Sequence, residues 1–340
     1  MSKIVTFGEI MLRLAPNEYY RLFQNDQLQA TFGGGEANVA VSLAYFGEDV
    51  SYVTKLPDNP IGDACVRNLR SFNVKTGNIV RGGNRIGIYF LEKGASQRGS
   101  VCVYDRAHSS ISEADSEDFD WDKIFEGTEW FHFTGITPAL GSNLVEICKE
   151  ACKKAKEKGI TISCDLNYRS KLWTKVEANQ AMTELCKYVD ICIANEEDAK
   201  DVFGIQADNT DVSKGKLDKE AYKSVAKQLM DRFNFKKVAI TLRTSISASD
   251  NDWSGMLYDG EKYYFSKEYQ LHIVDRVGGG DSFGAGLIYA LLHEKAMQET
   301  IEFAVAASAL KHSIEGDFNR LSVTEVKKLA GGDGSGRVQR

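Results

Sequence analysis

The sequence predicts an α/β fold in which helices cover both faces of a mainly parallel central sheet and a small β-sheet projects from it as a lid. Two observations predict the central sheet: β-rich runs alternate with amphipathic helical runs along most of the chain, and two of the predicted strands are almost continuously apolar. A third observation predicts the lid, because residues 85–107 follow a period of two around a Gly/Ser turn.

The first half of the chain supplies alternating strands and helices. Strands are predicted from the runs KIVTFGEIML, DVSYVTKL and EWFHFTGI. One helix is predicted from EANVAVSLAYFG, which ends at Gly47. Another is predicted from SNLVEICKEACKKAKEKG, which Ser142 caps and Gly159 ends.

The second half of the chain continues this alternation. ITISCDL and VDICIANE are apolar strands of the kind that is buried on both faces of a parallel sheet. EAYKSVAKQLMDRF is predicted to be helical, KKVAITLR to be a strand, and SFGAGLIYALL to form a further helix. This order implies a parallel sheet with helices on both sides.

The segment RIGIYFLEKGASQRGSVCVYDRA, residues 85–107, is predicted to be a β-hairpin rather than a βαβ unit. Paired with residues 11–32, it would form a lid over the carboxyl ends of the parallel strands, where open α/β sheets bind ligands. The predicted division of the chain is a core of residues 1–10, 33–84 and 108–330, a lid of residues 11–32 and 85–107, and a terminal tail of residues 331–340.

Composition excludes several classes of function. The net charge of −6 over 340 residues argues against nucleic acid as a main partner. No apolar run is long enough to predict a membrane span, and the N-terminal segment lacks the pattern of a signal peptide. The seven cysteines lie in apolar patterns, as Cys148 and Cys152 do, so we expect reduced thiols and a cytoplasmic protein.

The segment VDRVGGGDSFGAG places Asp281 between three glycines and the start of a helix. Glycines 278–280 can present bare N–H groups at the positive end of the helix dipole, which suits a phosphate. An aspartate there would repel phosphate but could accept a proton from an attacking hydroxyl. The alternative interpretation is a tight turn with an aspartate cap, and the segment alone does not separate the two. It matches neither the P-loop nor the dinucleotide fingerprint.

The same segment resembles the C-terminal signature of the ribokinase/PfkB family of carbohydrate kinases, D-x-x-G-A-G-D-x-F, with Gly279 in place of the usual alanine. Residues 32–63, FGGGEANVAVSLAYFGEDVSYVTKLPDNPIGD, resemble the N-terminal signature of that family. The resemblance covers essentially the whole chain. It implies a ribokinase-like three-layer α/β/α domain, Asp281 as the general base, and ATP and Mg²⁺ as cofactors, and it leaves a monovalent cation open.

Further segments resemble 2-keto-3-deoxygluconate kinases within that family: residues 89–92, 103–110, 165–173, 240–249 and 312–322. The substrate of that group is a sugar acid, and a guanidinium matches a carboxylate bidentately, so Arg106 and Arg169 are the candidate carboxylate ligands. Ribokinases and fructokinases bind neutral sugars and would not need two arginines there.

The resemblance also implies roles for other residues. Substrate contacts are expected from Gly34, Gly35, Asn38, Tyr89, Tyr104, Arg106, Arg169, Asp281 and Asp317. Nucleotide contacts are expected from Asn167, Asn195, Thr241, Arg243, Ser245, Gly278 and Gly280, and the catalytic turn comprises Gly278, Gly279, Gly280 and Asp281. In the family pattern N-x-x-E, a segment linked to magnesium, this chain has Asp198 instead of glutamate, so we expect an indirect contact that Glu197 shares through water.

The implied reaction is ATP-dependent phosphorylation of 2-keto-3-deoxygluconate on its C6 hydroxyl, which yields the 6-phosphate and ADP. The nearest alternative is another kinase of the family, namely a fructokinase, a ribokinase or a 5-dehydro-2-deoxygluconokinase. Remote alternatives are a non-catalytic sugar-binding regulator and an NAD-dependent oxidoreductase. The expected partners are the sugar acid, ATP and a second copy of the chain bound through the lid, with a larger homo-oligomer left open. No nucleic acid or membrane partner is expected.

Overall fold

Two β-sheets organise the protein in the computed structural model, which describes residues 3–195, 197–206, 219–294 and 296–334. The strands are β1 Lys3–Phe7, β2 Met11–Ala15, β3 Gln29–Gly33, β4 Asp49–Leu56, β5 Ile79–Arg81, β6 Gly87–Glu92, β7 Val101–Asp105, β8 Trp130–Thr134, β9 Thr161–Asp165, β10 Ile191–Ala194, β11 Lys237–Ser245, β12 Asp250–Tyr258, β13 Tyr263–Phe265 and β14 Tyr269–His272. Residues 335–340 of the predicted tail lie outside the described residues.

The helices of the described residues include the four predicted from EANVAVSLAYFG, SNLVEICKEACKKAKEKG, EAYKSVAKQLMDRF and SFGAGLIYALL, together with others that were not predicted. They are α1 Gly35–Tyr45, α2 Pro60–Ser71, α3 Trp121–Ile124, α4 Ser142–Glu157, α5 Lys175–Leu185, α6 Asp198–Phe203, α7 Lys219–Phe233, α8 Gly279–His293, α9 Met297–Lys311 and α10 Val323–Ala330. None of the helices in the described residues is both long enough and apolar enough to span a membrane.

The large sheet has the order β13-β12-β11-β10-β9-β8-β1-β4-β5, and β14 pairs with β12. Its strands are parallel from β11 to β5, whereas β12 runs antiparallel to β11, β13 and β14. The predicted mainly parallel sheet is therefore confirmed. The antiparallel strands at one edge join through short connections that need no crossover helix.

Helices pack on both faces of this sheet, which makes the fold three-layered. Neighbouring residues of a strand point to opposite faces. Val5 accordingly joins a buried cluster with residues of α4 and α5, whereas Ile4 joins a second cluster with residues of α1 and α8. Strand β10 repeats the pattern with Cys192 in the first cluster and Ile193 in the second. Burial on both faces explains why β10 is apolar throughout and why Ile162 and Cys164 of β9 are apolar.

A separate small sheet has the order β3-β2-β6-β7. Strands β6 and β7 form the predicted antiparallel hairpin, and β2 pairs with β6 in parallel and with β3 in antiparallel register. The residue bounds of the core and the lid stay a prediction, as does closure of this sheet over a ligand.

Two local predictions were wrong. The run KIVTFGEIML is not one strand, because β1 ends at Phe7 and β2 begins at Met11 in the other sheet. At Gly8 the backbone passes so close to the Glu36 side chain that a Cβ atom would collide with it. Ser142 is the first residue of α4 rather than its cap, and Gly141 takes the N-cap position without a side-chain hydrogen bond.

Candidate active site

A cavity of about 490 Å³ opens between the carboxyl ends of the parallel strands and the small sheet. The main sheet contributes Asp165, Ala194 and Thr241 from β9, β10 and β11, and the small sheet contributes Met11, Tyr89, Cys102 and Tyr104. The order of the strands reverses at β1, which lies between β8 and β4. Open α/β sheets bind ligands beside such a reversal, so the cavity is the candidate active site.

Most residues predicted from the sequence line this one cavity. They are Gly34, Gly35, Asn38, Tyr89, Tyr104, Arg106, Asn167, Arg169, Asn195, Glu197, Asp198, Thr241, Arg243, Gly278, Gly280, Asp281 and Asp317. Residues from the two ends of the chain and from its middle therefore share a single site, although their individual roles stay predictions.

Two predicted residues do not line the cavity. Ser245 is the exposed last residue of β11, four positions beyond Thr241. Gly279 is buried, and a Cβ atom there would collide with the ring of His312. The glycine at this position therefore allows α8 to pack against the histidine.

Asp281 lies in the first turn of α8 and faces the cavity. Gly278, the N-cap, has φ 82°, a left-handed conformation that favours glycine, and a Cβ atom there would also collide with the carbonyl oxygen of Asp317. The N–H groups of Gly280 and Asp281 belong to the first turn, where no intrahelical acceptor exists. The turn therefore offers N–H donors beside a carboxylate.

A hydrogen bond from another helix positions that carboxylate. Nδ2 of Asn38, in α1, donates to Oδ2 of Asp281 at 2.6 Å. Burial raises the pKa of Asp281 to about 6, although the hydrogen bond from Asn38 opposes the shift. Asp281 is thus charged at neutral pH yet basic enough to accept a proton, which is what a general base requires.

Arg106 reaches the cavity from the small-sheet hairpin and is held there by Glu9. Nε of Arg106 donates to Oε2 of Glu9 at 2.8 Å, and Nη2 donates to the same oxygen. The hydroxyl of Ser109 donates to Oε1 of Glu9 at 2.6 Å. The Arg106 guanidinium also lies 5.5 Å from the ring centre of Tyr104. Arg169 also lines the cavity and is exposed, and its Nη1 donates to the carbonyl of Tyr168 at 3.1 Å.

Asp317 belongs to a buried network of hydrogen bonds and ion pairs. It accepts the hydroxyl of Tyr89 at 2.6 and 2.7 Å and Nη1 of Arg13 at 2.7 Å. Nη2 of Arg13 donates to Oδ2 of Asp275 at 2.5 Å. Burial by itself lowers the pKa of Arg13, but Asp275 and Asp317 outweigh it and raise the pKa above its ordinary value. Strand β2 of the small sheet is thereby tied to the segment that precedes α8.

Two carboxylates are close together on the main-sheet side of the cavity. Asp198 is buried and accepts the N–H groups of Tyr168 at 3.0 Å and Asn195 at 3.1 Å. Burial raises the pKa of both Asp165 and Asp198, and the charge of Asp198 raises that of Asp165 further. A cation between the carboxylates and a ligand would relieve this repulsion.

These carboxylates fit Mg²⁺ bound through water and phosphate. Within the described residues, no group of three or more His, Cys, Asp or Glu side chains forms a protein-only metal cage. Mg²⁺ does not need such a cage, because it usually keeps several waters and binds one or two carboxylates together with substrate phosphates. Glu197 is exposed at the cavity edge, where a contact through water is the arrangement that the sequence predicts.

The side chains at the predicted nucleotide end have distinct surroundings. Asn195 accepts the N–H groups of Glu197 at 2.8 Å and Asp198 at 3.0 Å, so it orders the start of α6. Asn167 has φ 37° and donates to Oδ2 of Asp165 at 3.4 Å. Thr241 is buried and Arg243 is exposed, both on β11.

Among the charged residues that sequence reasoning missed are Glu9, Glu36, Asp165 and Arg276, which line the cavity, and Arg13, which holds Asp317. One of them carried a usable signal, because Arg13 occupies an inward position of the alternating run MLRLA, where its neighbours Met11 and Ala15 are buried. Glu36 accepts three donors on Oε1, from the N–H and hydroxyl of Thr134 and the hydroxyl of Thr137. Such partners are distant in sequence, so no local pattern marks them.

Comparison with known proteins was made on the sequence and on the fold. A solved structure from Thermotoga maritima, named 2-dehydro-3-deoxygluconokinase, is 56% identical with a TM-score of 0.94, covering 97% of this chain and 98% of that one. A Haloferax volcanii 2-dehydro-3-deoxygalactonokinase is 31% identical, covering 98% of both chains. A Bacillus subtilis 2-dehydro-3-deoxygluconokinase is 25% identical, covering 96% of this chain and 94% of the relative.

A family model supports the same relationship. The model described as pfkB family carbohydrate kinase matches residues 1–320. The matched range contains both glycine-rich segments, the whole cavity and both sheets. The chain therefore belongs to the pfkB family of carbohydrate kinases.

Proposed function

We propose that the protein transfers the γ-phosphoryl group of ATP to the C6 hydroxyl of 2-keto-3-deoxygluconate. One observation carries the proposal: a single cavity holds the half-buried carboxylate of Asp281 at the start of α8 and the two arginines, Arg106 and Arg169, that suit a sugar carboxylate. The name of the Thermotoga maritima structure, at 56% identity, supports the same substrate.

In the proposed mechanism, Asp281 accepts the proton of the C6 hydroxyl as its oxygen attacks the γ-phosphorus. A new bond forms between that oxygen and phosphorus, and the bond from phosphorus to the β–γ bridging oxygen breaks, which releases ADP. The N–H groups of Gly280 and Asp281 and the positive end of the α8 dipole stabilise the charge on the group in transfer. Asn38 keeps the carboxylate aimed at the hydroxyl through its 2.6 Å hydrogen bond.

Asp165, Asp198 and Glu197 are the residues that we propose hold Mg²⁺, indirectly through water and the phosphates. The bound ion would neutralise phosphate charge and orient the γ-phosphoryl group. Closure of the small sheet over the cavity would exclude water, which could otherwise hydrolyse ATP. A requirement for a monovalent cation stays a prediction, and initial rates in K⁺, Na⁺ and choline salts test it.

The function is tested by incubating the purified protein with ATP, Mg²⁺ and a panel of acceptors, and by measuring ADP release. The panel contains 2-keto-3-deoxygluconate, 2-keto-3-deoxygalactonate, 5-dehydro-2-deoxygluconate, fructose and ribose. We expect the highest kcat/KM for the first, and ³¹P–¹H correlation spectra of its product should place phosphate on C6. A preference for fructose or ribose would refute the proposal, as would phosphate on another oxygen.

The galactonate epimer is the second candidate substrate, because the 31% identical Haloferax volcanii relative is named 2-dehydro-3-deoxygalactonokinase. The two sugar acids share the carboxylate, the keto group and the terminal hydroxyl, and they differ only in the configuration of one ring or chain hydroxyl. The proposed roles of Asp281 and the arginines hold for both, so the panel decides between them.

Arginine substitutions test recognition of the carboxylate. Arg169→Gln should raise KM for the sugar acid by about 10–100-fold, since a hydrogen bond to a charged group contributes about 1.5–3 kcal/mol. KM for the matching neutral analogue, in which a primary alcohol replaces the carboxylate, should change less than about 3-fold. Steady-state kinetics on both compounds measure the difference.

The single variant Arg106→Gln would also leave the buried Glu9 without its cation, so its effect would combine two changes. The double variant Glu9→Gln/Arg106→Gln removes that charge as well and should show the same selective loss. Arg85→Gln is the matched control, since Arg85 lies on the same hairpin and pairs with the exposed Asp105 outside the cavity. Equal losses for the acid and its neutral analogue would contradict a role in carboxylate recognition.

We propose that the protein forms a homodimer through the small sheet. Strand β7 is an edge strand, and Val101 and Val103 on it are 45% and 47% exposed. Exposed apolar edge strands generally need a partner. Val103→Lys should therefore convert the dimer to a monomer in light scattering coupled to size exclusion. Val176→Lys, at a 66% exposed valine of α5 outside this sheet, should leave the mass unchanged. An unaltered mass for Val103→Lys would place any interface elsewhere.

A further inference from the structure

Arg276 is a cation that the mechanism above does not use. It lies two residues before the N-cap of α8, lines the cavity and is half-buried. Its Nη2 donates to the carbonyl of Ala248 at 3.0 Å, and within the described part of the chain this is its one side-chain hydrogen bond. A guanidinium has five N–H donors, so most of its donors remain available to a ligand.

The neighbouring carboxylate of Asp275 is hydrogen-bonded to groups other than Arg276. Asp275 accepts a hydrogen bond from Nη2 of Arg13 at 2.5 Å. Its carboxylate also accepts the N–H groups of Val277 and Gly316, both at 3.1 Å. None of the ion pairs among the described residues includes Arg276. Within the described residues, Arg276 therefore has no carboxylate bonded to its guanidinium, and the charge of Asp275 acts on it without a direct contact.

A second arginine makes the local charge more positive. Arg243 lines the same cavity on β11. Burial lowers the pKa of Arg276, and the charge of Arg243 lowers it further. His312 also lines the cavity, but burial lowers its pKa to about 4, so it is neutral at physiological pH and adds no charge. The half-buried guanidinium of Arg276 and the exposed one of Arg243 in one cavity favour a polyvalent anion, and the fork of each matches phosphate oxygens.

We propose that Arg276 binds the β-phosphate of ATP and the oxygen that joins it to the γ-phosphorus. The inference rests on the proposed function and deepens it. Arg276 precedes Gly278 by two residues, next to the turn that would receive the γ-phosphoryl group, and it lies close enough to the predicted nucleotide residue Arg243 for the two charges to interact. In the triphosphate of ATP, the β-phosphate lies between the γ-phosphoryl group and the rest of the nucleotide, so it matches a residue close to both predicted sites. Charge accumulates on the bridging oxygen as the γ-phosphoryl group leaves, so a cation there would stabilise the transition state.

The test uses the full-length protein and nucleotides of different phosphate number. Dissociation constants for AMP, ADP and ATP are measured by titration calorimetry without sugar acid, on the unchanged protein and on Arg276→Gln. We expect the variant to bind ADP and ATP about 10–100-fold more weakly, since it loses a charged hydrogen-bonding pair. Its AMP affinity and its KM for the sugar acid should stay within about 2-fold, because neither ligand places phosphate at that position.

Two further variants control for charge and for folding. Arg276→Lys keeps the charge but loses the fork, so its ADP affinity should lie between those of the other two proteins. Arg67→Gln removes the same charge from an exposed position on α2 that does not line the cavity, and it should bind every nucleotide normally. Arg276→Gln should unfold near the temperature of the unchanged protein. If it fails to fold, the comparison of ADP with AMP is made on Arg276→Lys.

The outcomes separate this inference from the proposed function. An equal loss for AMP and ADP, or no loss for either, would overturn the role of Arg276 even if the unchanged protein phosphorylates the sugar acid. Selective loss of ADP affinity would support the role even if the acceptor panel identified another sugar. Failure of the unchanged protein to bind ATP would refute the proposed function itself.

Discussion

Replacing Asp281 with asparagine is expected to lower kcat by about 10²–10⁴-fold, the usual contribution of a general base. The amide has nearly the same shape as the carboxylate but cannot accept the hydroxyl proton. KM for ATP and for the sugar acid should stay within a few fold, because the donors of the α8 turn remain in place. Asp58→Asn, at an aspartate whose side chain is 84% exposed outside the cavity, is the matched control. A near-normal kcat in Asp281→Asn would remove Asp281 from the role of base.

The pH profile provides an independent measurement on the same residue. Since burial raises the pKa of Asp281 to about 6 and only the deprotonated form can accept a proton, kcat/KM should fall as pH decreases through about 6. The hydrogen bond from Asn38 lowers this pKa, so Asn38→Ala should move the acidic limb of the kcat/KM profile, where activity falls, to higher pH. Asp281→Asn should lose the limb from its residual activity. The same limb in that variant would mean that another group titrates.

Replacing Arg13 with methionine is expected to lower the free energy of unfolding by about 3–5 kcal/mol, the cost of breaking a buried ion pair from one side. The change leaves Asp275 and Asp317 buried without their cation, since both side chains are almost fully inaccessible. Chemical unfolding in urea measures the loss. Arg21→Met is the matched control on the small-sheet side, because Arg21 pairs with Glu92 through a side chain that is 68% exposed, and such pairs contribute about 0–1 kcal/mol.

A double variant shows whether the cost arises from the uncompensated charge. Arg13→Met/Asp275→Asn removes one of the two buried carboxylates and should regain part of the stability that Arg13→Met loses. If the losses simply add, the ion pair is not the cause. The network also holds Asp317 against the hydroxyl of Tyr89, so we expect Arg13→Met to raise KM for the sugar acid as well.

Local patterns account for the parts of the fold that were predicted well. Strand β10 was recognisable because burial on both faces leaves only apolar residues in its run, and β9 was recognisable from its mostly apolar run ITISCDL. The hairpin of β6 and β7 was recognisable because its two-residue period and its turn lie within one short segment. The break between β1 and β2 was missed, because an apolar run continues through the point at which the backbone changes sheets.

In the candidate site as well, residues with a local sequence signal were predicted, and residues that meet only in the folded chain were missed. Asp281 and its glycines were found because a glycine-rich turn before a helix is a local feature, and resemblance to the pfkB family linked it to Asn38 and Arg106. Glu9 was missed, although it holds Arg106 from 97 positions away. The family resemblance implied a nucleotide contact for Ser245, but this residue ends β11 and does not line the cavity.

By itself the sequence determined the alternation of strands and helices and the position of a carboxylate at the start of α8, because periodicity and helix-start chemistry act between near neighbours. Only the tertiary structure decided which charges meet. Arg13 contacts Asp317 across 304 positions, and Asn38 contacts Asp281 across 243. The tertiary structure also brings Arg276 close to Arg243, while the sequence neighbour of Arg276, Asp275, is hydrogen-bonded to Arg13. Such pairings depend on how elements distant in the chain pack, and electrostatic energy falls with distance in space, not in sequence.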